Sequence, residues 1–182
     1  HQDLKEKGPI AKCAPPLRAP EEKERLVGLL RDDYIDMVAS DHSPSPWSLK
    51  DTNNLFHAWG GISGGQFSLL SLIELAIQYD IPFDQVAKWT AGNPAKRFDL
   101  YPQKGAIRVG SDADVTMISL SEDFNVTREN ILAKHKISLY EGHTFPCRVM
   151  GTFNRGRLVF DAGQGLVETA AGHWIQPDKI DV

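Results

Sequence analysis

Long apolar runs are missing from these 182 residues. Even the richest stretch, Phe67 to Ile77, is broken by Ser68, Ser71 and Glu74, short of the roughly 18 apolar residues that a spanning helix needs. Cysteine is almost absent. Cys13 and Cys147 stand far apart and outside any CxxC spacing, which argues against a disulfide scaffold and for a reducing compartment, the cytoplasm. There is no stripe of positive charge either: 20 Lys and Arg face 24 Asp and Glu, a net charge of −4. Lys134 with Lys136 is a short, interrupted cluster, so nucleic acid is an unsuitable partner. Internal repeats and low-complexity tracts are lacking. An initiator Met is lacking too, and the residues from His1 to about Lys12 hold no complete element, so the chain is expected to be part of a longer protein.

What remains is an ordinary globular composition, 41% hydrophobic and 24% charged, long enough to bury roughly 70% of its unfolded surface. A possible strand around Ala11 to Ala14 is stopped by Pro15 and Pro16. Pro20 opens a helix, with Glu21, Glu22 and Glu24 near its positive end and Leu26, Leu29 and Leu30 at helical spacing. Tyr34 to Ala39 reads as a buried strand ended by Ser40-Asp41-His42-Ser43-Pro44. Helix, strand and polar loop together make an α/β rhythm. Ser45 to Gly65 is rich in Ser, Pro, Asn and Gly yet carries Trp47, Phe56 and Trp59, the mark of a long ordered loop with a function. A helix from about Gln66 to Tyr79 is apolar over most of its circumference and therefore buried on more than one side. A second, from Phe83 to Ala91, turns Val86 and Ala87 inward. Asn93 is expected to cap a short helix beginning at Pro94. Beyond Lys104 the texture becomes that of a small β unit: strands at Ala106-Ile107, Val115 to Ile118, Cys147 to Phe153 and Arg157 to Phe160, with a turn at Asn154-Arg155-Gly156. Mixed polar sequence at Ser121 to Gly142 and Gly163 to Val182 interrupts it.

Asp41 is the most informative position, a carboxylate directly after an apolar segment. In α/β folds functional groups collect at the carboxyl ends of strands. By position alone Asp41 is either such a group or the cap of the turn through Ser43. His42 can orient Asp41, touch a substrate, or make a structural hydrogen bond. No histidine stands in HxH or HExxH spacing, and a zinc site needs three or four protein ligands, so no complete metal site is legible here. His57, His135, His143 and His173 read as non-chemical. The run Gly60-Gly61-Ile62-Ser63-Gly64-Gly65 opens a helix without the ending of a phosphate loop, and suits tight helix entry or backbone contact with an amide-bearing substrate. Cys13 lacks a neighbouring base and reads as a packing residue.

Several motifs then occur in a telling order: Lys12-Cys13-Ala14-Pro15-Pro16-Leu17-Arg18, Ala39-Ser40-Asp41-His42-Ser43-Pro44, Trp59-Gly60-Gly61-Ile62-Ser63, Asn93-Pro94-Ala95, and Lys104-Gly105-Ala106-Ile107 followed by Gly110-Ser111-Asp112-Ala113-Asp114. Over about residues 8 to 160 the chain resembles the cyclic amidohydrolases, which include dihydroorotases, hydantoinases and dihydropyrimidinases. The resemblance implies an α/β fold, the carboxyl-terminal part of a metal-dependent amidohydrolase (β/α)8 barrel. On it, 1–103 would be the last βα units of the barrel and 104–182 strands of a small β-sandwich. It also implies a hydrolase of cyclic amide bonds, acting on a small-molecule cyclic ureide with a hydantoin-type ring and using a binuclear zinc centre, in a homo-oligomer, a dimer or tetramer. Asp41 matches the carboxylate that binds the more buried metal and acts as general base and then acid. The remaining ligands have no counterparts in this sequence. Cys13, Ala14, His42, Gly60, Gly61 and Ile62 match substrate-facing positions. Dihydroorotases carry Asn where Ala14 stands, so any contact here uses backbone groups. A non-catalytic assembly module built on the same fold is the alternative from outside the enzyme class.

Overall fold

The computed structural model describes residues 2–167 and 172–176. Among them the helices are α1 (Gln2–Lys7), α2 (Pro20–Arg31), α3 (Ser68–Gln78), α4 (Phe83–Ala87) and α5 (Asn93–Arg97). The strands are β1 (Val115–Ser119), β2 (Phe124–Asn125), β3 (Thr144–Phe145), β4 (Arg148–Asn154), β5 (Arg157–Asp161) and β6 (Gly165–Leu166). Two compact units result. The first gathers His1–Ile35, Ala39–Ser71 and Asn125–Phe145; the second gathers Asp36–Val38, Leu72–Phe124 and Pro146–Val182.

In the first unit, α1 runs into a 3-10 turn at Gly8–Ala11, closed by the Lys12 N–H on the Pro9 carbonyl at 3.1 Å. The strand expected at Ala11 to Ala14 therefore does not form, because the turn takes up the backbone that a ladder would need. Helix α2 begins at Pro20 with Glu21 and Glu22 in its first turn and Arg31 in its last, as anticipated. Its buried stripe is Val27 and Leu30, however, while Leu26 and Leu29 stay exposed. Tyr34 to Ala39 is not a buried strand: Tyr34 is 76% exposed. An extended segment becomes a strand only where a neighbour completes the ladder. The isolated pairing nearest to it is the parallel bridge of His42 with Ile62. The 45–65 stretch is an ordered loop containing a 3-10 turn at Trp47–Leu49. The core of this unit is aromatic: Phe67, Tyr140 and Phe145 meet at centroid distances of 5.2, 6.1 and 5.8 Å, with Val126 and Ile131 fully buried. The short pair β2–β3 brings 125–145 back to this unit.

Helix α3 buries Leu70, Leu72, Ile73 and Ala76, which fits an element apolar on more than one side. In the second unit, α4 passes into a π turn over Lys88–Gly92 and on into α5 without a break. Trp89, 1% exposed, is the inward residue together with Val86, whereas Ala87 is exposed. Trp89 follows Val86 at ordinary i, i+3 helical spacing, which leaves the adjacent Ala87 turned about 100° away from the buried face. Asn93 is not a cap. It is already helical, and its Nδ2 donates to the Asp36 carbonyl at 2.8 Å.

The β sheet of the second unit has the order β1-β4-β5-β6, antiparallel throughout. β4 and β5 are joined at Arg155 and Gly156, whose φ values of 48° and 76° are those of a type I′ hairpin turn. Asp114 pins that turn: Oδ1 accepts the Arg155 N–H at 2.8 Å while Oδ2 pairs with Lys104 at 2.5 Å. Lys104 also reaches Asp112 at 2.9 Å. Burial opposes the charge on Lys104, but its hydrogen bonds to Asp114 and Asp112 outweigh that and raise its pKa. The motif at 104–114 thus holds the hairpin, and its expected strand at Ala106-Ile107 is absent, with Ile107 92% exposed. Residues 168–171 and 177–182 of the expected polar tail, like His1, lie outside the described residues.

Candidate functional site

The site is built within the first unit by the turn at Asp41. Its φ of +44° lies in the left-handed region, which an aspartate enters more readily than most residues. The Asp41 carboxylate projects into solvent and makes no hydrogen bond to the described residues. It does not cap the following turn, because the Ser43 N–H is taken by the Ile62 carbonyl at 3.0 Å. That bond and the His42–Ile62 bridge dock the glycine-rich loop alongside residues 42 and 43. His42 is also fixed from the other side, its Nδ1 accepting the Gly65 N–H at 3.0 Å. This leaves Nε2 as the ring nitrogen available to a ligand.

Close approach explains the glycines. A Cβ on Gly61 would lie 2.4 Å from Ser43 Oγ and 2.7 Å from the Ser43 carbonyl oxygen, so no side chain fits there. A Cβ on Gly60 would sit 3.4 Å from Ala14 Cβ, which brings the Cys13–Ala14 segment beside the loop. The structure therefore assembles Ala14, Asp41, His42, Gly60, Gly61 and Ile62 in one neighbourhood. Cys13 is half-buried and lines an adjacent, largely apolar cavity of about 280 Å³ with Leu17, Leu55 and Phe56. Cys147 belongs to the other unit. Burial first, then the charge of Glu74, pushes its thiol up to about 11, so it stays protonated and unreactive near neutrality.

Two residues escape sequence reasoning. Lys50 is 4% exposed, and its Nζ donates to the carbonyls of Pro9, Ile10 and Lys12 at 3.1, 3.2 and 3.1 Å. Burial lowers its pKa, Lys12 acts in the same direction, and Cys13 opposes them. Ser138, also buried, donates from Oγ to the Ser63 carbonyl at 2.9 Å and supports the glycine loop from behind. The only available signal was that Lys50 and Asp51 are the sole charges between Ser45 and Gly65. Nothing in that composition says which carbonyls a lysine will find.

Chemically, the site offers one open carboxylate, one imidazole nitrogen and several backbone amides. Among the described residues no group of three or more His, Cys, Asp and Glu could hold a metal ion. The donor set here thus fits one ligand of a metal centre, not a whole one.

The sequence profile described as "Amidohydrolase family" matches residues 2–159. An allantoinase of Bacillus velezensis is 51% identical over 179 residues, 98% of this chain and 39% of its own. An allantoinase of Solibacter usitatus is 39% identical over 176 residues, 96% of this chain and 38% of its own. The chain thus spans about two fifths of the length of these curated relatives. Among solved structures, the L-hydantoinase (dihydropyrimidinase) of Arthrobacter aurescens is 32% identical with a TM-score of 0.86, covering 92% of this chain and 38% of that one. With the profile running across both compact units, and with the fold matching that of a hydantoinase, the chain belongs to the amidohydrolase family.

Proposed function

We propose that these residues form part of an allantoinase, which opens the hydantoin ring of allantoin by hydrolysing a cyclic amide bond to give allantoate. The observation that carries this reading is the turn at Asp41, where an unengaged carboxylate stands beside docked backbone segments. In this reading residues 1–103 supply the last βα units of the barrel and 104–182 strands of a small β-sandwich. In this reading, as the family resemblance implies, the protein is cytoplasmic and works as a dimer or tetramer.

Asp41 would be one ligand of a binuclear zinc centre whose other ligands lie outside these 182 residues. When bound, such a centre supplies the Lewis acidity that lowers the pKa of water toward neutrality. The Asp41 carboxylate accepts the proton of the attacking water and passes it to the departing ring nitrogen, so that no free amide anion has to leave. Backbone groups of Cys13, Ala14, Gly60, Gly61 and Ile62 receive the ureide's N–H and C=O edges. With Nδ1 engaged by Gly65, the ring nitrogen that His42 would offer the substrate is Nε2.

In an enzyme of the relatives' length carrying this chain, Asp41→Asn should lower kcat on allantoin by about a thousandfold, with circular dichroism unchanged. Turnover near that of the parent with metal retained would overturn the assignment. The likeness to L-hydantoinase favours a second reading, hydrolysis of another five- or six-membered cyclic ureide. Relative kcat/KM on allantoin, hydantoin, dihydrouracil and dihydroorotate separates the two. Absence of turnover on all four with metal bound would instead favour an assembly module.

A further inference from the structure

Lysine is seldom buried unless paired, yet Lys50 is 4% exposed and the hydrogen bonds of its ammonium go to main-chain oxygens. Three N–H donors meet three carbonyls, so the group is satisfied. Desolvating a charge is costly even then, and what the arrangement secures is the course of residues 9–12, immediately before Cys13 and Ala14. The same short turn holds the opposite segment. The Leu49 carbonyl accepts the Trp59 N–H at 2.8 Å, one residue before Gly60, and the turn is itself closed by the Lys50 N–H on Trp47 O at 2.7 Å. Residue 50 thus carries one segment on its side chain, and residue 49 carries the other on its backbone. The two segments meet where Ala14 faces Gly60. Lys50 also lines, with Ser43, Gly61 and Ser63, a recess of about 10 Å³ beneath the loop.

We propose that Lys50 is a positioning residue for substrate: through the Trp47–Lys50 turn it sets the spacing between Cys13–Ala14 and Gly60–Ile62, the two backbone segments that receive the ring. This rests on the ureide reading above. The test uses the metal-loaded enzyme of the relatives' length and the variant Lys50→Met, which keeps an unbranched stem of similar shape and removes the ammonium with its donors. KM for allantoin should rise about tenfold or more while kcat stays within about threefold. A protein that had merely lost stability would show the reverse, a fall in kcat from a smaller active fraction at unchanged KM. In parallel, alkylation of Cys13, followed by mass spectrometry, should accelerate at least about fivefold as the 9–14 segment loosens. If Lys50→Met fails to fold, Lys50→Gln, which retains an amide donor, carries the same measurements. An unchanged KM overturns the proposal. If the parent opens no ureide, the ureide reading fails by itself, and Cys13 alkylation still reports on Lys50: unchanged reactivity overturns the clamp, faster reactivity upholds it.

Discussion

At the residue scale, the candidate site is made as much by missing atoms as by present ones. Gly61 lies against Ser43 with no room for a methyl group, and one of the colliding atoms is a backbone oxygen that cannot rotate away. Gly61→Ala should therefore displace the loop and lower kcat/KM on allantoin by about ten- to a hundredfold, since small misplacements of positioning groups are expensive. The same substitution at Gly28, which has open space around it, should leave kcat/KM unchanged in the same assay. Asp41 was legible in the sequence because it directly follows an apolar segment and precedes a proline. Whether it capped its own turn was not, since that depended on Ile62 claiming the Ser43 N–H from about twenty residues away. Lys50 was illegible for the same reason: its partners are main-chain oxygens some forty residues earlier, and carbonyls leave no mark in a sequence.

At the element scale, local chemistry decided what could be read. The start of α2 at Pro20 and the turn at Asn154-Arg155-Gly156 follow from proline geometry, the helix dipole and glycine's access to positive φ, all of which act within a few residues. Gly156→Ala should cost the second unit about 1 kcal/mol by forcing a Cβ into the left-handed region, measurable as a lower urea midpoint at unchanged slope. The misjudged elements depended on distant partners. Tyr34 to Ala39 has the composition of a buried strand, but pairing decides strand identity, and an apolar run announces only its willingness. The Asn93-Pro94 pair resembles a helix start so closely that only the preceding π turn, which makes α4 and α5 continuous, overrides it.

At the scale of the whole molecule, the family was legible because five short motifs keep their order over most of the chain. Taken by themselves, the 182 residues should bind no stoichiometric pair of zinc ions and open no ureide, since a binuclear centre needs several ligands and the described residues bring no three together. Equilibrium dialysis against zinc and an allantoin assay on the purified chain check this; tight uptake of two ions with turnover would refute it. The return of residues 125–145 to the first unit has a practical corollary. Tyr140 and Phe145, which close its aromatic core, arrive only after the second unit is half built. No single cut of the polypeptide releases either half whole, so a minimal fragment has to be spliced rather than trimmed, and a ribosome closes the first only with much of the second already made.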